Sequence, residues 1–288
     1  MGRATFRPFT SGTLTTTASG APPREAIMHE HHPLRFRIVL STLALLLVSV
    51  THAELADVKK RGELRVVMSG EYPPFSQPTP GGDLTGFDAD VAREIARRLG
   101  VKAHLIKADF SSIVAGVQAG NFDLAVASQS KTPERARAVD FLSKPYYYDG
   151  FQLFVPKGSK ANSLEGLGGQ PVAVALGTVF EKFLRERKYP KIVTFSGEQE
   201  IFLALGANRA SGMITTRSVG NVAIKNGQAL RAAGPVLQQD NPYITLGKNQ
   251  PQLKAAVEKA LNAMRADGTL RRLSVKYIGS DLTVPNNR

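Results

Sequence analysis

The sequence has 288 residues, 42% hydrophobic and 21% charged, with 37 Lys and Arg against 24 Asp and Glu for a formal net charge of +13. This is a globular composition, and the basic excess is spread along the chain without a run of Lys or Arg, which argues for a basic solvated surface rather than a nucleic-acid footprint. Cysteine is absent, which excludes disulfides, thiolate metal sites, thiol catalysis and a lipid on an N-terminal cysteine.

The first 53 residues differ from the rest. HEHHPLRFR (29–37) leads into the 13-residue run IVLSTLALLLVSV (38–50) and then Thr51-His52-Ala53. A basic stretch, a short apolar run and small residues before a cut predict a secretory signal peptide over residues 28–53; a membrane span needs about 20 apolar residues. Residues 1–27, rich in Thr, Ser, Gly and Pro, show no apolar period. They are expected to be disordered or untranslated, with Met28 as the start. Residues 1–53 hold five of the 37 basic and two of the 24 acidic residues, so the expected mature chain, 54–288, keeps a net charge of +10.

After the cut, strand and helix patterns alternate. GELRVVMS (62–69) reads as a buried strand and is followed by the Pro- and Gly-rich EYPPFSQPTPGGDLTGF. Asp88 is expected to cap a helix over DADVAREIARRLG, with Val91, Ile95 and Leu99 on one face and Gly100 as the stop. VKAHLIKA (101–108) predicts a strand, SSIVAGVQAG (111–120) a short helix and FDLAVAS (122–128) a strand. TPERARAVDF opens a helix with Thr132 as cap and Pro133 at its first position.

A second round follows the extended stretch 146–155. QPVAVAL (170–176) is a strand, Gly177-Thr178 a turn, and VFEKFLRERK a helix with Phe180, Phe183 and Leu184 inward. KIVTF (191–195), GEQEIFLALGAN and SGMIT (211–215) repeat strand, helix, strand. PQLKAAVEKALNAMRADG carries Leu253, Val257, Leu261 and Met264 on one stripe. The order predicts an α/β fold built of two rounds, each with a mostly parallel sheet flanked by helices.

In such sheets ligands sit beyond the carboxyl ends of the strands, where helix N-termini also point. Ser128 and Ser130 end a strand, and Arg135 lies in the first turn of the next helix; Gly177-Thr178 takes the matching place in the second round. Two such edges facing each other predict a cleft lined with hydroxyls and N–H groups, which is an anion site.

At these residues the chain resembles the periplasmic solute-binding proteins of the polar amino-acid ABC-transporter type, the bacterial extracellular solute-binding protein family 3. LRVVMSGEYPPF, LTGFDADVAREIARRLG, FDLAVASQSKTPERARAVDFLSKPYY, VAVALGTVFEKF and ALNAMRADGTLRRLSVKYIG carry the resemblance in order over roughly 60–280. It implies a two-lobed, type II periplasmic-binding-protein-like fold with two crossover strands as hinge. Residues 54–148 plus 245–288 would form lobe 1 and 149–244 lobe 2. It implies that the ligand carboxylate pairs with Arg135, helped by Ser128, Ser130, Thr178 and the N–H groups after Gly177, Val179 included. Tyr72 and Phe110 would sandwich the ligand side chain, with Phe75 in the core. The partners implied are an amino acid or related small carboxylate and an inner-membrane ABC permease. The protein is expected to be a monomer in the periplasm, with no cofactor, metal or nucleic acid.

The sequence departs from that pattern where the ligand ammonium is usually held. The usual Asp after the last strand of the second round is Thr216, followed by Arg217, and a second common carboxylate near the end of the first strand is Ser69. No Asp or Glu occurs from Ile201 to Gln239. A buried ammonium without an opposite charge is strongly disfavoured. Either Glu71 or another cleft carboxylate substitutes, or the ligand lacks an α-ammonium. With Lys131 also near the mouth, the sequence leans towards a carboxylate less cationic than usual. One alternative is an enzyme like the related cyclohexadienyl dehydratases, against which the missing general acid argues; another is a ligand-presenting subunit of a sensory system.

Overall fold

A computed structural model describes residues 54–285; the expected extension (1–27) and signal peptide (28–53) lie outside them. Helix α1 (Leu55–Arg61) precedes β1 (Glu63–Met68), a small hairpin of β2 (Gln77–Pro78) and β3 (Leu84–Thr85), α2 (Phe87–Leu99) and β4 (Lys102–Lys107). A 3-10 turn (Phe110–Ser112) runs into α3 (Ile113–Gln118), then β5 (Leu124–Ser130), α4 (Pro133–Ala138) and β6 (Asp140–Phe141). The chain then leaves this layer through β7 (Asp149–Pro156). It builds β8 (Val172–Ala175), α5 (Val179–Glu186), β9 (Ile192–Phe195), α6 (Glu198–Gly206), β10 (Gly212–Thr216), α7 (Arg217–Lys225), β11 (Leu230–Ala232) and β12 (Gln238–Asp240). It returns through β13 (Pro242–Leu246) and ends in α8 (Pro251–Ala266) and α9 (Thr269–Ile278).

Two sheets result. The first has the order β4-β1-β5-β13-β6, the second β11-β7-β10-β8-β9 with β12 also on β7. β4, β1 and β5 are parallel, as are β10, β8 and β9, while β13 and β7 run antiparallel to their neighbours. The two crossings lie side by side, since Asp240 of β12 is in register with Asp149 of β7. This is the α/β two-lobed architecture expected, with antiparallel strands entering where the chain changes sheet.

Both faces of the second sheet are covered, which is why its strands read as unbroken apolar runs. Phe151, Leu153, Val155, Val172 and Val174 pack on one face with Phe180, Phe183 and Leu184 of α5. Phe154, Ala173 and Ala175 pack on the other with Ile201 and Leu205 of α6. On the first sheet Val91, Ile95 and Leu99 of α2 join Leu253, Val257, Leu261 and Met264 of α8 in one core. Gly100 ends α2 in the left-handed conformation at φ 72°, as its position predicts.

One expected cap is replaced. Gly86, not Asp88, stands before α2. Asp88 is fully buried inside the first turn, where it accepts hydrogen bonds from Tyr146 Oη at 2.6 Å and Ser128 Oγ at 2.9 Å. Burial outweighs both bonds and pushes its carboxyl up to about 7. A carboxyl raised by folding contributes stability that is present below its unfolded pKa and lost as pH rises through the folded one. Asp88 alone should therefore cost about 2–3 kcal/mol between pH 5 and pH 8. In urea unfolding at the two pH values, Asp88→Asn should narrow the wild-type difference by that amount. An unchanged difference would show that the carboxyl is ionised throughout.

Candidate functional site

The carboxyl ends of β1 and β5 and those of β8 and β9 meet around a cavity of about 410 Å³, its open mouth included. The first sheet's side contributes Ser69 after β1, the loop residues Glu71 and Tyr72, Phe110 from the 3-10 turn, and Ala127, Ser128 and Ser130 from β5. The second contributes Ala175, Thr178, Val179 and Phe180 around the start of α5, and Ser196, Gly197 and Glu198 around the start of α6. Hydroxyls and aromatic faces dominate, two carboxylic acids are present, and no Lys or Arg side chain is among the lining residues.

Bonds across the gap hold the two sides together. Glu198 N donates to Glu71 O at 3.1 Å. Tyr72 Oη and Thr216 Oγ1 lie 2.7 Å apart. Arg135 donates from Nη1 to Ser130 O and from Nη2 to Gly177 O, both at 2.9 Å, with its guanidinium 5.3 Å from the centre of the Phe110 ring. Burial lowers the pKa of this guanidinium, but a group of that basicity stays charged.

Of the residues expected to bind ligand, Ser69, Glu71, Tyr72, Phe110, Ser128, Ser130, Thr178 and Val179 line the cavity. Arg135, Gly177 and Thr216 stand just behind it, each touching a lining residue or its neighbour. Several of the hydroxyls already have partners. Thr178 Oγ1 accepts from Glu181 N at 3.3 Å as the cap of α5 and donates to Ala175 O at 2.7 Å. Gly177 N donates to Glu181 Oε2 at 2.8 Å. Ser128 Oγ donates to Asp88, and Ser130 Oγ donates to Asp240 Oδ2 at 2.9 Å, a carboxyl that burial raises to about 6. Phe75 is buried in the core, stacked on Tyr72 with ring centroids 5.3 Å apart. Lys131 lies over Phe141 and Tyr243, 5.8 Å from each ring, and lines a neighbouring cavity instead.

Sequence reasoning missed the acid on the second side. Glu198 is 1% exposed, lines the cavity and accepts from Thr215 Oγ1 at 2.9 Å. Burial pushes its carboxyl up to about 8. Glu71, by contrast, is half-buried and paired with Lys107. One signal was available. Glu181 has Arg185 four residues on and pairs with it, whereas Glu198 has Phe202 at that spacing and Glu200 has Ala204. An acid with no helical partner is the one free to be used elsewhere.

Residues 64–280 match the family described as bacterial extracellular solute-binding proteins, family 3. The L-cystine-binding protein TcyJ of Escherichia coli (strain K12) is 31% identical over 233 residues, which cover 80% of this chain and 87% of that protein. The putative amino-acid ABC transporter-binding protein PatH of Vibrio harveyi is 35% identical over 238 residues, covering 79% of this chain and 93% of its own. Among solved structures, the ancestral amino acid-binding protein AncCDT-1, a precursor of cyclohexadienyl dehydratase, superposes with a TM-score of 0.72 at 33% identity. It covers 78% of this chain and 99% of that one.

Proposed function

The chain belongs to the bacterial extracellular solute-binding proteins, family 3, and from that premise we propose that it is the periplasmic binding component of an ABC importer, closing two lobes on an amino acid. The observation that carries this reading is the cavity itself, walled by strand ends and helix starts of both sheets and bridged by side chains from each. Residues 54–148 form one lobe together with the chain from β13 onward, β7 through β12 form the other, and the paired crossings at Asp149 and Asp240 are the hinge. No helix among the described residues is long and apolar enough to cross a membrane. Delivery to an inner-membrane permease by a monomer freed from its leader fits these features.

Arg135 takes the ligand carboxylate. The two bonds to Ser130 O and Gly177 O fix the plane of its guanidinium and leave further N–H donors for an anion. Lobe closure excludes water and strengthens that pairing. In isothermal titration, Arg135→Ala should weaken amino-acid binding by about 1.5–3 kcal/mol, the range for a hydrogen bond to a charged group. Unchanged affinity would remove Arg135 from the site.

The argument against an enzyme from a missing general acid does not survive Glu198, a carboxyl that is protonated at neutral pH. Binding remains the better reading because the relatives named above are binding proteins. Turnover of prephenate or arogenate by the purified protein would overturn it.

A further inference from the structure

The position that usually carries the ammonium-binding Asp is Thr216, 2% exposed, and its hydroxyl is engaged with Tyr72. A carboxyl is not lost from the cleft. The adjacent Thr215 donates to Glu198, so two neighbouring residues at the end of β10 hold, respectively, a carboxyl and an aromatic wall of the same cavity. Glu198 enters at the first position of α6, where the helix dipole favours a negative charge.

We propose that Glu198 binds the ammonium of the ligand and sets the selectivity of the cleft for amines over their deaminated counterparts. The inference rests on the cleft being the ligand site, the reading given above. Three observations carry it. The lining includes two acids and no base, and one of those acids, Glu71, is already paired with Lys107. Glu198 is buried with a hydroxyl as its side-chain partner and no cation among its described contacts. An ionised carboxylate in that setting is strongly disfavoured until an opposite charge arrives, and a ligand ammonium supplies it. The sequence-based lean towards a less cationic ligand is thereby reversed.

A proton readout follows. The groups facing Glu198 are Tyr72, whose phenol burial keeps protonated, Glu71 with its Lys107, and Glu200, which accepts from Ser196 N just before the helix. Glu198 is protonated at pH 7 and must ionise to hold an ammonium, so binding should release a proton. Affinity should then rise by up to about tenfold per pH unit from pH 6 to 7.5.

The test is isothermal titration of the purified protein with L-arginine, L-glutamine, L-histidine and L-cystine, with the 2-hydroxy acid corresponding to any that binds, and with agmatine and histamine. Glu198→Gln should weaken the amino acid by about 10–100-fold, while the weaker hydroxy acid changes by less than about twofold. Glu198→Asp should recover part of the loss, and Glu198→Gln should abolish the proton release. Equal losses for both ligands, or none for the amino acid, overturn the proposal. If none of the four amino acids binds, the amino-acid reading fails on its own. Agmatine or histamine then decides the role of Glu198: binding that Glu198→Gln removes sustains it, and no amine binding overturns it.

Discussion

Gly86→Ala is expected to unfold the protein about 6–20 °C earlier, at ~2–4 °C per kcal/mol for a chain of this size. Gly86 sits at φ 126° and ψ −178°, a region open in practice only to glycine. A Cβ there would lie 2.7 Å from Pro74 O and closer still to the carbonyl of Phe75. Those two carbonyls are the N-terminal cap of α2, because Phe87 N donates to Pro74 O at 3.0 Å and Asp88 N to Phe75 O at 2.9 Å. Alanine therefore adds backbone strain and displaces the acceptors of two buried N–H groups together. The combined cost is about 3–5 kcal/mol. A melting temperature within about 2 °C of wild type, less than 1 kcal/mol at this size, would show that the 74–75 loop moves aside at little cost.

This cap also shows where sequence reasoning stops. Asp88 carries the composition of a cap, and helix preference alone points to it. Its actual partners, Ser128 and Tyr146, lie far along the chain. Only assembly of the sheet brings them to the helix, and the cap passes to backbone carbonyls that no residue type announces. Thr132 and Thr178 come out as local chemistry dictates, since the N–H groups they accept lie three residues on.

The site divides in the same way. Hydroxyls at the ends of β5 and the start of α5 follow from the alternation of strands and helices, so Ser128, Ser130 and Thr178 were legible. The acid was harder to read, because Glu198 is a first-turn glutamate marked only by the lack of a basic partner four residues on. It meets the opposite lobe only on assembly, where its N–H donates to Glu71 O and Tyr72 lines the same cavity. Arg135 reads as an anion binder from its place alone, while its bond to Gly177 O depends on the two lobes being together.

That dependence on closure makes Gly197 the other position of large effect. Its φ of −168° is extended backbone that any residue adopts, so a side chain there brings no strain within its own lobe. Across the gap, however, a Cβ would collide with Glu71 Cβ and lie 2.8 Å from Glu71 O, the acceptor of Glu198 N. Gly197 is the N-cap of α6, so Gly197→Val should lower stability in urea without ligand by no more than the loss of a good cap, about 1 kcal/mol. The same variant should weaken binding of the cognate amino acid by about 10–100-fold, the 1–3 kcal/mol of an overpacked contact. The split is the informative part, because a substitution that disturbs folding moves both readouts. Small-angle scattering gives the geometry directly: ligand should contract the wild type and leave Gly197→Val extended. If the variant binds and contracts like wild type, the Glu71–Gly197 contact is not what brings the lobes together, and Glu198 reaches the ligand by some other arrangement of the cleft.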